Sequence, residues 1–212
     1  MKIHVLILTH NRPTLFKRCI DSVIDAFHHY NVDLCITVNN DSNDITEVYT
    51  DMIKYQYKTS DNLCDLYLDL YKQSGDGYVY FLEDDDILSI DFFEVLDGYT
   101  EDIFYFNYIP YKWSTNFLSF FKQTIGDCTK DDFMVGYNNH NFQFGQICFK
   151  KKCLDVNDFP DDNYIQNDFV IFKLLEGSFR KINRFMFTQT TDGGDNISFP
   201  YLNTDGRWER KE

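Results

Sequence analysis

The chain has 212 residues, 43% hydrophobic and 25% charged, enough to bury the core of one globular domain. A net charge of −14 excludes broad non-specific attraction to nucleic acid or anionic membrane, since both reward Lys and Arg. No apolar run approaches the roughly 20 residues of a membrane helix.

Ile3 to Thr9 is a continuous apolar run and predicts a buried strand. The Asn11-Arg12-Pro13-Thr14 turn follows, and Pro13 suits the first turn of a helix. Leu15/Phe16, Cys19/Ile20, Val23 and Phe27 then recur at helical spacing. Val32 to Val38 predicts a second strand, ended by the short polar residues Asn39 to Asp44. A helix around Leu63 to Tyr71 and a Gly75-Asp76-Gly77 turn lead into Tyr78-Val79-Tyr80-Phe81-Leu82, a third buried strand. Repeated strand–helix–strand units predict an α/β fold with a mostly parallel, doubly wound sheet. Thr9 to Arg12, Asn39 to Ser42 and Glu83 to Asp86 would then meet at the carboxyl edge, where ligands of such sheets bind.

The third strand runs straight into Glu83-Asp84-Asp85-Asp86. Four carboxylates at one strand tip repel one another, and a hard divalent cation such as Mg²⁺ or Mn²⁺ is the natural compensation. The ordinary alternative is a solvated acidic turn capping a helix that starts near Ile87. Beyond it, Ile103 to Ile109 reads as a strand stopped by Pro110. Residues 112–145 are aromatic and irregular, and suit a partner-facing region. Gln146 to Phe149 is a short strand candidate, and Asp168 to Glu176 a helix closed by Gly177. Gly193-Gly194 marks a loop, and the polar residues from Asp205 onward predict a mobile end.

Six cysteines without a C-x-x-C pair read as small buried hydrophobes, which points to a reducing, cytoplasmic setting. The first apolar run is too short for a signal peptide. The 21 Phe and 15 Tyr residues fill a core or line a stacking cleft. Lys150 to Lys152 and Phe179 to Arg184 are the two possible basic patches, each more simply a solvated face. His10, at a strand tip, is the one histidine placed for a role; a structural role is the simpler reading.

In order, Thr9-His10-Asn11-Arg12-Pro13, Val38-Asn39-Asn40-Asp41-Ser42-Asn43-Asp44 and Gly77 to Asp86 resemble the motifs of the A-type nucleotide-diphospho-sugar glycosyltransferases, most closely the inverting family 2 enzymes. The resemblance covers roughly the first half of the chain. It implies one glycosyltransferase domain, with residues 1–100 binding the nucleotide sugar and an acceptor-side extension over 101–212. Thr9, Asn11 and Arg12 would line the nucleotide pocket. Asn39 and Asn40 stand where the family carries acids for the base and ribose, while Ser42 and Asp44 keep their places. Asn62 and Asp65 resemble polar residues that touch the nucleotide. Glu83 replaces the family's first Asp; it would share the metal, Mn²⁺ or Mg²⁺, with Asp85, and Asp84 would face the ribose. A frame shifted by one would make Asp84 and Asp86 the pair. Asn167-Asp168-Phe169 resembles the motif of the catalytic base and makes Asp168 the candidate, with Asp161 and Asp162 as alternatives.

The implied activity is inverting transfer from a nucleoside-diphosphate sugar, UDP-linked by expectation, to an acceptor hydroxyl. The acceptor would be a glycan or lipid-linked sugar, or a hydroxymethylated pyrimidine of phage DNA. From other classes, a nucleotidyltransferase would need a Gly-rich basic loop after its first strand, which His10 to Pro13 is not. A sugar-binding module without catalysis fits the Asn residues at 39, 40 and 167. Oligomeric state is not legible.

Overall fold

A computed structural model describes residues 1–42, 45–109, 144–159, 174–189, 201–202 and 208–209. The elements are β1 (Lys2–Thr9), α1 (Pro13–His29), β2 (Asp33–Asn40), β3 (Ile53–Gln56), α2 (Leu63–Gln73), β4 (Tyr78–Glu83), β5 (Asp86–Leu88), α3 (Phe92–Asp97), β6 (Ile103–Ile109), β7 (Ile147–Lys150) and β8 (Phe179–Gln189). β9 (Tyr201–Leu202) and β10 (Trp208–Glu209) pair as a separate antiparallel ribbon.

One eight-stranded sheet, ordered β3-β2-β1-β4-β7-β6-β8-β5, carries the fold. Its first half is parallel throughout, as the strand–helix repeats predict. Its second half is mixed: β7 is antiparallel to β4 and β6, β8 is parallel to β6, and β5 is antiparallel to β8. "Mostly parallel" therefore holds for the first half alone. β6 points the same way as β4, so both carboxyl ends reach the same edge.

Helices cover both faces. α1 presents Phe16, Cys19, Ile20, Val23 and Ile24 to the alternate residues Ile3, Val5 and Ile7 of β1, and α3 adds Phe92 and Phe93 on that side. α2 packs Leu70 and Tyr71 on the opposite face, against Leu6, Val79 and Phe81. Alternation along β1 and β4 thus feeds two cores. The Tyr71 hydroxyl lies 2.8 Å and 2.7 Å from the carbonyls of Lys151 and Leu154, tying α2 to the segment after β7. α1 begins at Pro13, as expected, and α2 is capped by Asn62, whose side chain accepts from the Cys64 N–H.

Two readings are corrected, those of Ile87 and of Phe179 to Arg184, and one unread strand, Ile53–Gln56, is added. Ile87 opens no helix; Asp86–Leu88 is strand β5, and the next helix starts at Phe92. Ile53–Gln56 is an edge strand too short to show a period. Phe179 to Arg184 opens β8, with Lys181 only 4% exposed. The pairing of β6 with β8 slips between Phe106 and Tyr108, and Asn183, Arg184 and Phe185 are exposed together there, so β8 shows no period of two. The five described cysteines are free thiols, four of them buried. Among the described residues no helix is long and apolar enough to cross a membrane. Gly177 has φ +151°, and a Cβ there would stand 2.8 Å from that of Asp102.

The order of the strands imposes a curl. β4 and β5 lie four places apart, which in a flat sheet is about 19 Å. Only Asp84 and Asp85 separate Glu83 from Asp86 in sequence, a reach of about 10 Å at most. The second half must bend back until its far edge passes the tip of β4. Ser22 of α1 marks the closure, its hydroxyl accepting from the Leu88 N–H at 2.9 Å.

Gly77 admits the chain into β4 at φ +133°, and a Cβ there would stand 2.9 Å from the Lys2 carbonyl oxygen. Gly77→Ala is expected to cost about 1–3 kcal/mol, measured by denaturant unfolding.

Candidate functional site

β4 is buried from Tyr78 to Leu82 and ends in a half-buried Glu83. Asp84, Asp85 and Asp86 follow at 5%, 3% and 0% exposure, so the acids form no solvated turn. Asp84 accepts from the Thr9 hydroxyl at 2.7 Å and from the Arg12 guanidinium at 2.9 Å. Burial still pushes its carboxyl up, against the pull of Arg12. The same Arg12 nitrogen reaches Asp85 at 3.4 Å. Burial, then Asp84, push Asp85 up to about 6.

Asp86 is fully buried, close enough to Tyr80 and Tyr108 for its charge to act on both phenols. Among the described residues neither of its carboxylate oxygens has a hydrogen-bond partner. Burial first, then Glu83, push its carboxyl well up. The buried Tyr80 and Tyr108 phenols are raised chiefly by burial and next by the Asp86 charge, Tyr108 to about 12. Glu83, Asp85 and Asp86 each place one carboxylate oxygen within 4.8 Å of the others. Asp84, turned to Arg12 and Thr9, is not part of that trio. Asp86 is the residue that spacing undervalues. What separates it from its neighbours is the start of β5, which no sequence period marks.

The other two motif tips interlock beside this turn. Thr9 is the register partner of Asn40, and the Asp41 N–H donates to the Thr9 carbonyl at 3.3 Å. The Asn11 N–H donates to the Ser42 hydroxyl, which donates to the Asn40 side-chain oxygen, both at 2.9 Å. Asn11 takes φ +49°, a left-handed conformation that Asn tolerates. His10 Nδ1 and Asp41 pair at 2.5 Å, a contact the motif reading leaves out.

Asn39 and Asn40 are both fully buried. The Asn39 side chain donates to the Lys58 carbonyl and accepts from the Lys58 N–H, both at 3.1 Å. A carboxylate has no donor and could not make this two-way latch. The amide of Asn40 organises its own loop. Asn62 caps α2, and the Ser60 hydroxyl donates to Asp65 at 3.1 Å. Thr9, Arg12, Glu83, Asp84 and Asp85 are thus brought together, with Asn11 and Ser42 alongside. Asp168, with Asp44, Asp161, Asp162 and Asn167, lies outside the described residues.

The basic clusters lie at the opposite, amino edge. Lys150 and Lys152 each reach Asp102 at 2.9 Å, and Arg180 reaches Glu101 at 2.6 Å. An open cavity of about 590 Å³ lies along the outer face of α1, between Pro13, Asp25, Val48 and Ile87, and is lined by none of the four acids.

No protein-family model matches the chain, and no curated protein is detectably similar in sequence. Solved structures do match in fold. Residues 1–349 of S. aureus TarS superpose with a TM-score of 0.65 at 14% identity over 90% of this chain and 60% of that one. The same fragment in complex with UDP-GlcNAc gives 0.67 at 15% over 95% and 62%. In complex with UDP it gives 0.64 at 14% over 90% and 61%. This chain therefore has the TarS fold, the A-type architecture its motifs imply, and spans about 60% of the length of those fragments.

Arg12→Met is expected to destabilise the fold by about 3–5 kcal/mol, because it leaves Asp84 buried without its counter-charge. Asp84→Asn in the same chain should restore much of the loss, as read in a double-mutant cycle. Asn39→Asp, although it restores a family acid, is expected to cost about 3 kcal/mol in unfolding experiments by stranding the Lys58 carbonyl.

Proposed function

We propose that this chain is a glycosyltransferase that moves a sugar from a nucleoside-diphosphate donor, UDP-linked, to an acceptor hydroxyl with inversion. The observation that carries the reading is the convergence of three strand tips on one edge, with Thr9 and Arg12 bonded to the acid turn. The UDP and UDP-GlcNAc complexes of the fold neighbour support the nature of the donor.

Glu83 and Asp85 would hold a divalent cation, Mn²⁺ or Mg²⁺. The buried, mutually repelling carboxylates fit such an ion, because burial still raises Asp85 against the pull of Arg12 and Arg18, and the ion's charge offsets that desolvation. When bound, the cation supplies charge neutralisation to the diphosphate leaving group. Thr9 and Arg12 hold Asp84 fixed toward the ribose side. The bonded turns at Asn11 and Ser42, and the segment carrying Asn62 and Asp65, wall the nucleoside side. Lys58, latched to Asn39, fixes the spacing between them. Asp168 takes the proton from the acceptor hydroxyl. The acceptor oxygen bonds to the anomeric carbon as the bond to the diphosphate oxygen breaks on the opposite face. One such base is worth about 10²–10⁴ in rate.

A glycan hydroxyl is the acceptor this reading takes. Modified DNA would need free cations near the carboxyl edge. The described Lys150, Lys152 and Arg180 are paired with Asp102 and Glu101 at the other edge.

Incubation with a panel of nucleotide sugars and Mn²⁺ tests the proposal through release of nucleoside diphosphate. UDP release is expected from the wild type, and none from Asp85→Ala. Asp168→Asn should keep donor binding by calorimetry and lose turnover by about 10²-fold or more. A chain that binds UDP-sugars without turning over any of them, whatever the acceptor, is a binding module instead.

A further inference from the structure

We propose that Asp86 is a third protein ligand of the cation, and that the ion binds this chain before any nucleotide does. The inference shares with the proposed function only the need for a cation at this turn.

Asp86 is 0% exposed, and among the described residues neither carboxylate oxygen is hydrogen-bonded. Buried carboxylates in folded proteins almost always have partners, because an unpaired one is costly. A retained proton does not remove the difficulty. The acid O–H would then need an acceptor of its own, and neither oxygen has a bonding partner of either kind. What is nearby is oxygen: one from Glu83 and one from Asp85, all three within 4.8 Å of one another. Mg²⁺ binds oxygens at about 2.1 Å, so opposite ligands of one ion lie about 4.2 Å apart. The trio is already close to that spacing.

The charge count agrees. Glu83, Asp84, Asp85 and Asp86 contribute four negative charges. Among the described residues, Arg12 bonds to two of these acids and Arg18 acts on Asp85 at longer range. Four clustered carboxylates facing these two guanidiniums favour a divalent ion at the trio. Asp84 is sorted out of the set by Thr9 and Arg12. A site offering one or two carboxylates would depend on the donor's phosphates for the rest. Three protein oxygens, one of them in the core, make an ion site of the free chain and leave about three of six positions open.

The test uses the 212-residue chain stripped with a chelator, then titrated with MnCl₂ or MgCl₂ and no nucleotide. The expected result is a melting temperature raised by about 5–10 °C at a cation concentration 100-fold above Kd. Loss of the free Mn²⁺ signal in electron paramagnetic resonance should report the same binding. Asp86→Asn should melt higher than wild type without metal, since a buried charge is gone, and should lose the metal response. Asp86→Ala serves as a second variant with the same loss of response. No binding of either cation to the wild type overturns the inference. So does an Asp86 variant that keeps wild-type Mn²⁺ affinity. The two proposals fail separately: UDP binding that needs Mn²⁺, with no Mn²⁺ binding alone, sinks this one. Mn²⁺ binding without any nucleotide binding keeps it and sinks the function.

Discussion

Two residues, Asp84 and Asp85, join the middle of the sheet to its far edge, and the curl of the fold follows from that short link. β4 and β5 are four places apart in the strand order, yet the chain between them cannot span a flat sheet. The sheet bends, the far edge comes under α1, and the acid turn is enclosed rather than offered to solvent. Enclosure then sets the chemistry. In water, four adjacent acids would be unremarkable surface. Here three of them are less than a tenth exposed, and each needs a specific partner. The aromatic richness of the chain serves the same curl. Tyr80, Phe92, Phe106 and Phe187 fill the concave side with few residues, and Tyr108 stacks on Phe187 at 5.3 Å.

The neighbourhood of the turn divides into two parts. The fixed part is a lattice of bonds among the tips of β1, β2 and the segment after β3: Thr9 to Asp84, Asn11 to Ser42, Asn39 to Lys58. Asn at 39 and 40, where the resembled family carries acids, leaves that wall uncharged, and at 39 it supplies the donor that the Lys58 carbonyl accepts. Negative charge is thereby concentrated at β4's tip instead of being spread around the pocket. The other part is the trio Glu83, Asp85 and Asp86, whose carboxylate oxygens lie within 4.8 Å of one another.

Much of this was legible in the sequence, and the reasons for the rest are physical. β1, β2, β4 and β6 are continuous apolar runs because both their faces are buried, and such runs announce themselves. α1 shows its period because one face meets the sheet and the other meets water. β3 and β5 have four and three residues, too few to display any period. β8 buries residues in adjacent pairs, Lys181 with Ile182 and Met186 with Phe187, around an exposed run at the register shift, so it shows no period of two and its lysine and arginines read as a surface patch. The meeting of the three motif tips followed from parallel topology alone. The different fates of neighbouring acids did not. Asp84 and Asp86 are two residues apart and chemically identical. Only the direction of the chain after Glu83 sends one to Arg12 and the other into the core. The assignment of Asp168 continues to rest on its motif, Asn167-Asp168-Phe169.

The two sheet edges have a bearing on how the chain behaves in concentrated solution. An eight-stranded sheet in a chain this rich in Phe and Tyr would be prone to stack edge to edge if it ended in long flat strands. Both ends are truncated instead. β3 offers four residues, one of them Lys54, and β5 offers three beneath α1. With a net charge of −14 added, molecules of this protein would meet with little backbone to share and strong mutual repulsion.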